Sequence, residues 1–208
     1  PDLTLDQLRQ ELIALPCCAA DGESRAAGDP LNLVLIGSAK DILASMSRAQ
    51  WSYTHVINSA TVSRMIGAAL SGAAYPVAPV SPLYFMNRPQ DLALQRARNT
   101  VLQRNHLRLW LAPFHFQGKS VWVGQVSRDI NIKATASSGS LTTHVIDPNV
   151  DEAREHVLQS LLVAGGDERQ VRIEIDHGSS RRSLPAETIS TARISAGSCP
   201  ARRRPSMM

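Results

Sequence analysis

The sequence predicts an α/β domain of the α+β kind: a mixed sheet built on a central antiparallel hairpin, with helices packed on it. Three observations carry that prediction. Residues 106 to 129, HLRLWLAPFHFQGKSVWVGQVSRD, hold two strand-like runs on either side of Gln117-Gly118. Residues 31 to 37, LNLVLIG, form a continuous apolar run before a glycine, as a buried central strand does. Further stretches near 39 to 49, 61 to 71 and 149 to 164 space their apolar residues at the helical period.

The hairpin follows from alternation. Leu107, Leu109 and Leu111 share one parity and so one face of a strand, while His106, Arg108, Trp110 and Phe114 take the other. On the return run, Val121, Trp122, Val123 and Val126 are strand-forming residues. Gly118 can supply the positive φ of a tight turn. With a two-residue loop, Phe116 pairs with Lys119 and His106 with Asp129. Arg108 then stands opposite Ser127, and Trp110 opposite Gln125. A slip of one residue would exchange the two faces.

Residues 1 to 15 read as a helical connector: apolar side chains fall at 5, 8, 12 and 15, Thr4 can cap it and Pro16 stops it. Residues 16 to 28, small and polar with two glycines, read as a linker. The main domain is placed at 29 to 178. Its strands are expected near 31 to 36, 105 to 116, 120 to 132, 141 to 146 and 170 to 176. Ser38 caps the 39 to 49 helix, which turns Ile42, Leu43, Met46 and Trp51 inward. In the 61 to 71 helix, Val62, Met65, Ile66, Ala69 and Leu70 share the helical spacing. Residues 71 to 90 lose periodicity at repeated residue-proline steps and read as an irregular loop carrying Arg88, Gln90 and Asp91. Asp147-Pro148 opens the 149 to 164 helix, whose stripe is Ala153, Val157, Leu158, Leu161 and Leu162. Residues 179 to 208 read as a basic, disordered tail.

Composition narrows the function classes. An apolar fraction of 43% supports a packed core. No run of about 18 apolar residues is present to form a membrane span. The chain opens on Pro1, as a fragment or processed product would, and an upstream membrane segment is left open. Of the +4 net charge, the residues from Arg181 onward contribute +5, leaving the body at −1. No aromatic residue interleaves the tail arginines, so no nucleic-acid binding is expected beyond weak tail contacts. The three cysteines form no Cys-x-x-Cys, which fits a reducing compartment better than a disulfide framework. Gly37 and Lys40 do not make a phosphate loop, and no G-x-S-x-G elbow is present.

Five ordered motifs resemble one known family. They are DPLNLVLIG (29 to 37), SPLYFMNRPQDLALQ (81 to 95), RNHLRLW (104 to 110), VWVGQVSRD (121 to 129) and THVIDPNVDEARE (143 to 155). Together they resemble the LssY C-terminal domain family of bacterial proteins, over roughly residues 28 to 176. The biochemical role of that family is not established, so no catalytic residues carry over. Its members often stand behind membrane-embedded segments. The resemblance therefore implies a soluble appendage of a membrane-associated protein, with a membrane protein or upstream membrane domain as partner; the cytoplasmic side is slightly favoured, as the cysteine pattern suits a reducing compartment.

Two readings of the site follow. In the first, a ligand- or partner-binding accessory domain, the binding candidates are Arg88, Gln90, Asp91, Arg108, Trp110 and Arg154. In the second, a metal-dependent hydrolase acting on a phosphorylated or lipid-linked substrate, His106, Asp129, His144 and Asp147 are the catalytic candidates. His144, Asp147 and Asp151 are then the candidate ligands of a divalent metal. Imidazole with carboxylate suits Zn, Mn or Fe, and a bound metal could activate water. A structural reading competes: Asp147 as a helix cap, Asp151 near a helix N-terminus and paired with Arg154, and His106 with Asp129 as a cross-strand pair. His55, His115, His156 and His177 have no evident partners and read as surface or edge residues. No cofactor is established by the sequence, and the oligomeric state is not readable.

Overall fold

The computed structural model describes residues 1–21, 27–55, 58–73, 75–97, 104–134, 142–146, 150–164, 175–176 and 194–195. In order these form β1 (Asp2–Leu3), α1 (Leu5–Ala14), β2 (Cys18–Asp21), β3 (Ala27–Pro30), β4 (Leu33–Ile36), α2 (Ala39–Arg48) and β5 (Ser52–Tyr53). There follow α3 (Ser59–Ser71), β6 (Leu83–Phe85), β7 (Arg88–Pro89), β8 (Leu92–Ala97), β9 (Arg104–Phe116) and β10 (Lys119–Ala134). The last are β11 (Thr142–Ile146), α4 (Val150–Val163), β12 (Ile175–Asp176) and β13 (Ile194–Ser195). The fold is α+β, and its central hairpin is β9–β10.

The main sheet runs β11-β10-β9-β8-β5, with β4 added to β10 and β1 to β9. Its pairings are antiparallel except for β1 on β9, so the sheet is mixed. The hairpin turn is Gln117-Gly118, with φ of 52° and 70°, which is the type I′ geometry that suits a two-residue loop. Gly118 N–H donates to Asp2 Oδ1 at 3.0 Å, tying the N-terminus to the turn.

The register differs from the expected one past the first two pairs. Phe116 pairs with Lys119, but Trp122 then pairs with Leu111, with an irregularity between Ser120 and Trp122. Residues 112–114 of β9 thus face the single residue Val121, and Pro113 in that bulge has no N–H to give the ladder. The shift is two residues. His106 therefore stands opposite Ser127, Arg108 opposite Gln125 and Arg104 opposite Asp129. An even shift keeps every side chain on its expected face.

Each face has its own core. On one, Leu33, Leu35, Leu94, Leu107, Leu109, Trp122 and Val126 pack against Ile42 and Met46 of α2 and Ala153, Val157 and Leu158 of α4. Gly124 lies between these side chains, where a Cβ would sit 2.8 Å from Leu109 Cδ2. On the other, Val34, Ile36, Trp110, Phe114, Val121 and Val123 pack against Leu8 and Leu12 of α1, with Phe85 of β6. The N-terminal helix is thus part of the domain core, and the capping box of Thr4 and Gln7 fixes its start.

Other expectations are corrected. The stretch read as a linker contributes strands β2 and β3, paired with each other and with β6. The proline-rich loop closes on a β6–β7 hairpin, with Met86 and Asn87 at positive φ. In α3, which forms where the spacing predicts a helix, Met65 is buried but Ile66 and Leu70 are exposed, so not all of that stripe faces inward. Leu162 of α4 is exposed as well. Of the strand expected at 170 to 176, Ile175–Asp176 is described, and the rest lies outside the described residues. Apart from Ile194–Ser195, so does the tail. Cys18 is disulfide-bonded, a bridge that the cysteine spacing did not announce. Burial raises the pKa of the Cys17 thiol beside it.

Candidate functional site

The second face of the sheet changes character along its length. Beyond Trp110 the alternation that delivers apolar residues to one side delivers polar ones to the other. Arg104, His106 and Arg108 of β9, Gln125, Ser127 and Asp129 of β10, and Gln95 of β8 share this half of the face. All seven are buried. Residues 75–81 run along them through two backbone carbonyls. Gln95 Nε2 donates to Pro76 O at 2.7 Å, and Arg108 Nη2 donates to Ser81 O at 3.1 Å.

The charged members are linked by side chains. Arg108 Nη1 donates to Gln125 Oε1 at 3.1 Å across the hairpin. Arg104 Nη1 donates to Gln95 Oε1 at 3.2 Å. Asp129 Oδ2 lies 3.5 Å from Arg104 Nη2 and 3.5 Å from His106 Nδ1. The ion pair with Arg104 is almost fully enclosed, its side chains exposed by 0% and 2%. Burial lowers the Arg104 pKa below the usual guanidinium range, and the Asp129 carboxylate opposes that shift. His106 and Asp129, expected as direct cross-strand partners, meet diagonally because of the bulge.

The remaining candidates fall elsewhere. Trp110 anchors the apolar half and donates through Nε1 to Arg88 O at 3.2 Å. Arg88 and Asp91 form an exposed pair at 2.6 Å. Asp91 Oδ2 also accepts from Leu111 N–H, and Gln90 Oε1 from Leu83 N–H, both at the edge of the strands. Arg88 and Asp91 thus hold the β6–β7 hairpin to β9, while Gln90 closes the hairpin on itself.

Asp151 and Arg154 pair at 3.1 Å on α4, which packs on the opposite, leucine-rich face, so the sheet separates them from His106 and Asp129. On that side Arg128 pairs with Glu152, and Arg96 stands 3.4 Å from His156. His156, expected without a partner, has one, and so does His55, whose Nδ1 lies 2.9 Å from the Tyr75 hydroxyl. His144 stands opposite Ile132 on β11, and its side chain is not among those described. Asp147 lies outside the described residues.

Among the described residues, no group of three or more His, Cys, Asp or Glu stands where it could hold a metal ion. The approach of His106 to Asp129 also has Arg104 Nη2 3.5 Å from the same carboxylate oxygen. A cation placed there would face a guanidinium, which disfavours it electrostatically.

Sequence reasoning missed Arg104, Gln95 and Gln125 as site residues. Arg104 was within reach, since it continues the parity of His106 and Arg108 inside RNHLRLW. The glutamines join only through pairing across strands.

The fold and this face together define a sheet domain with one closed apolar face and one face that turns polar at its far end. The LssY C-terminus family model matches residues 12–192, and the chain belongs to that family. The match extends beyond the quoted motifs at both ends. No curated protein and no solved structure matches the chain.

Proposed function

We propose that this chain is a ligand- or partner-binding accessory domain of a bacterial membrane-associated protein, with the polar half of the sheet as its site. One observation carries the reading: seven polar side chains, three of them Arg104, Arg108 and Asp129, are buried together on one face. Desolvating such groups opposes folding, and a buried ion pair is commonly no more stable than an apolar replacement of similar volume. A sheet that fills its other face with leucine and valine keeps this arrangement against that cost, which favours a role in recognition. The membrane association, and a place on its soluble side, rest on the family resemblance. Among the described residues no helix is long and apolar enough to cross a membrane.

The rival, a metal-dependent hydrolase, draws on the 3.5 Å approach of His106 Nδ1 to Asp129 Oδ2, and Arg104 at the same oxygen counts against it. Elemental analysis of the purified chain beside a His144→Ala variant separates the two. The binding reading expects no stoichiometric Zn, Mn or Fe in either. It also expects a thermal-shift screen of polar small molecules to yield at least one that raises Tm in the wild type but not in Arg108→Gln. Stoichiometric metal lost in His144→Ala, with phosphoesterase turnover, would replace this reading by the hydrolase.

A further inference from the structure

Arg104 is the innermost guanidinium of the polar half, with none of its side-chain surface exposed. Its donors are unevenly used. Nη1 is fixed by Gln95, which is itself fully buried and anchored on the Pro76 carbonyl. Nε and Nη2 make no hydrogen bond among the described residues. Asp129 Oδ2 lies 3.5 Å from Nη2, which is ion-pair range but too long for a charge-assisted hydrogen bond.

These two nitrogens are a matched pair. Nε–H and the neighbouring Nη–H lie in one plane along one edge of the guanidinium and point the same way. That edge is the fork that takes two oxygens of a carboxylate or phosphate at once. A buried donor is normally satisfied at close range, so a fixed fork that has Asp129 Oδ2 only at 3.5 Å from Nη2 marks a place for a closer acceptor.

We propose that this edge of Arg104 is the anchor of the site and that its ligand is a small oxyanion, a carboxylate or a phosphate, held side-on by Nε and Nη2. The inference rests on the binding reading above and gives it a ligand class. Gln95 sets the plane of the fork. Asp129, between Arg104 and His106, acts as an internal counter-ion that the oxyanion displaces from the fork. The enclosure of Arg104 limits the ligand to a small ion or the tip of a larger molecule.

Calorimetric titration of the full chain tests this, using inorganic phosphate and acetate against chloride at constant ionic strength. A parallel arm uses phosphatidate-containing and pure phosphatidylcholine vesicles. At least one oxyanion is expected to bind at one site per chain. Binding only to phosphatidate vesicles would assign the same chemistry to a lipid headgroup. Arg104→Lys keeps the charge but not the fork, and should weaken binding about tenfold or more. Asp129→Asn removes the competing carboxylate and should tighten it several-fold.

Equal affinity in the wild type and Arg104→Lys overturns the proposal. Should Arg104→Lys fail to fold, an Asp129→Asn affinity no higher than that of the wild type overturns it. If neither oxyanion nor vesicle binds, but a neutral sugar or nucleoside raises Tm in the wild type and not in Arg108→Gln, the oxyanion class falls and the binding reading stands. If no probe of either kind binds, both fall.

Discussion

The two faces of the same three strands make the instructive comparison. On β8, β9 and β10, Leu94, Leu107, Leu109 and Val126 point one way, and Gln95, Arg104, His106, Arg108, Gln125, Ser127 and Asp129 point the other. Both sets are buried. The first set meets α2 and α4 as a packed apolar layer, where each large aliphatic side chain stabilises by about 1.5–3 kcal/mol. The second set meets backbone carbonyls and itself. A period of two thus lets one hairpin supply stability on one side and chemistry on the other, provided its register holds.

The largest effects should come from the polar side, by breaking its ion pair. Asp129→Ala leaves Arg104 enclosed without its carboxylate and should cost about 3–5 kcal/mol. The double variant Arg104→Met/Asp129→Leu removes both charges and should recover most of that loss. Urea unfolding of the three proteins measures this. If the double variant is as unstable as the single one, the cluster is a structural network and the contrast between the faces collapses.

The apolar side should respond differently to a change of similar size. Leu107→Ala opens a cavity under α4 at a fully buried position and should cost about 2–5 kcal/mol. Ser127→Ala, one strand over on the polar face, removes a hydroxyl and should cost about 1 kcal/mol or less. Chemical denaturation of both variants would sharpen the comparison. A Ser127→Ala loss as large as that of Leu107→Ala would mean that the polar half is bound as tightly as the core.

The sequence made these two faces legible and left their exact alignment hidden. Alternation through Leu107, Leu109 and Leu111 placed the faces, and Gln117-Gly118 placed the turn. The bulge at 112–114 was not readable, because Pro113 lowers strand propensity without saying how many residues loop out. That is why alternation and a two-residue loop alone pair Asp129 with His106, whereas the bulge sets it opposite Arg104. Strands β2 and β3 escaped notice because CAAD and AGDP carry no apolar alternation; they pair within a sheet that includes β6. Strand β8 did alternate, through Leu92 and Leu94, but followed a proline-rich stretch that obscured its start. Asn105, buried with both amide atoms lacking hydrogen bonds among the described residues, carried no signal beyond its parity.

The smallest expected effect tests what holds the faces apart. Gln117 adopts φ of 52° in the β9–β10 turn, a left-handed conformation that is strained for glutamine and well tolerated by asparagine. Gln117→Asn creates the Asn-Gly pair that a type I′ turn favours and should stabilise by about 0.5–1 kcal/mol. The turn lies far along the hairpin from Arg104 and Asp129, beyond the bulge, so this gain should add to the Asp129→Ala loss without coupling. A rise in the urea midpoint at constant m-value, equal in the wild-type and Asp129→Ala backgrounds, is the expected result. A gain found in one background alone would mean that the turn and the polar cluster set the register together, so that the two faces are not independent parts of the hairpin.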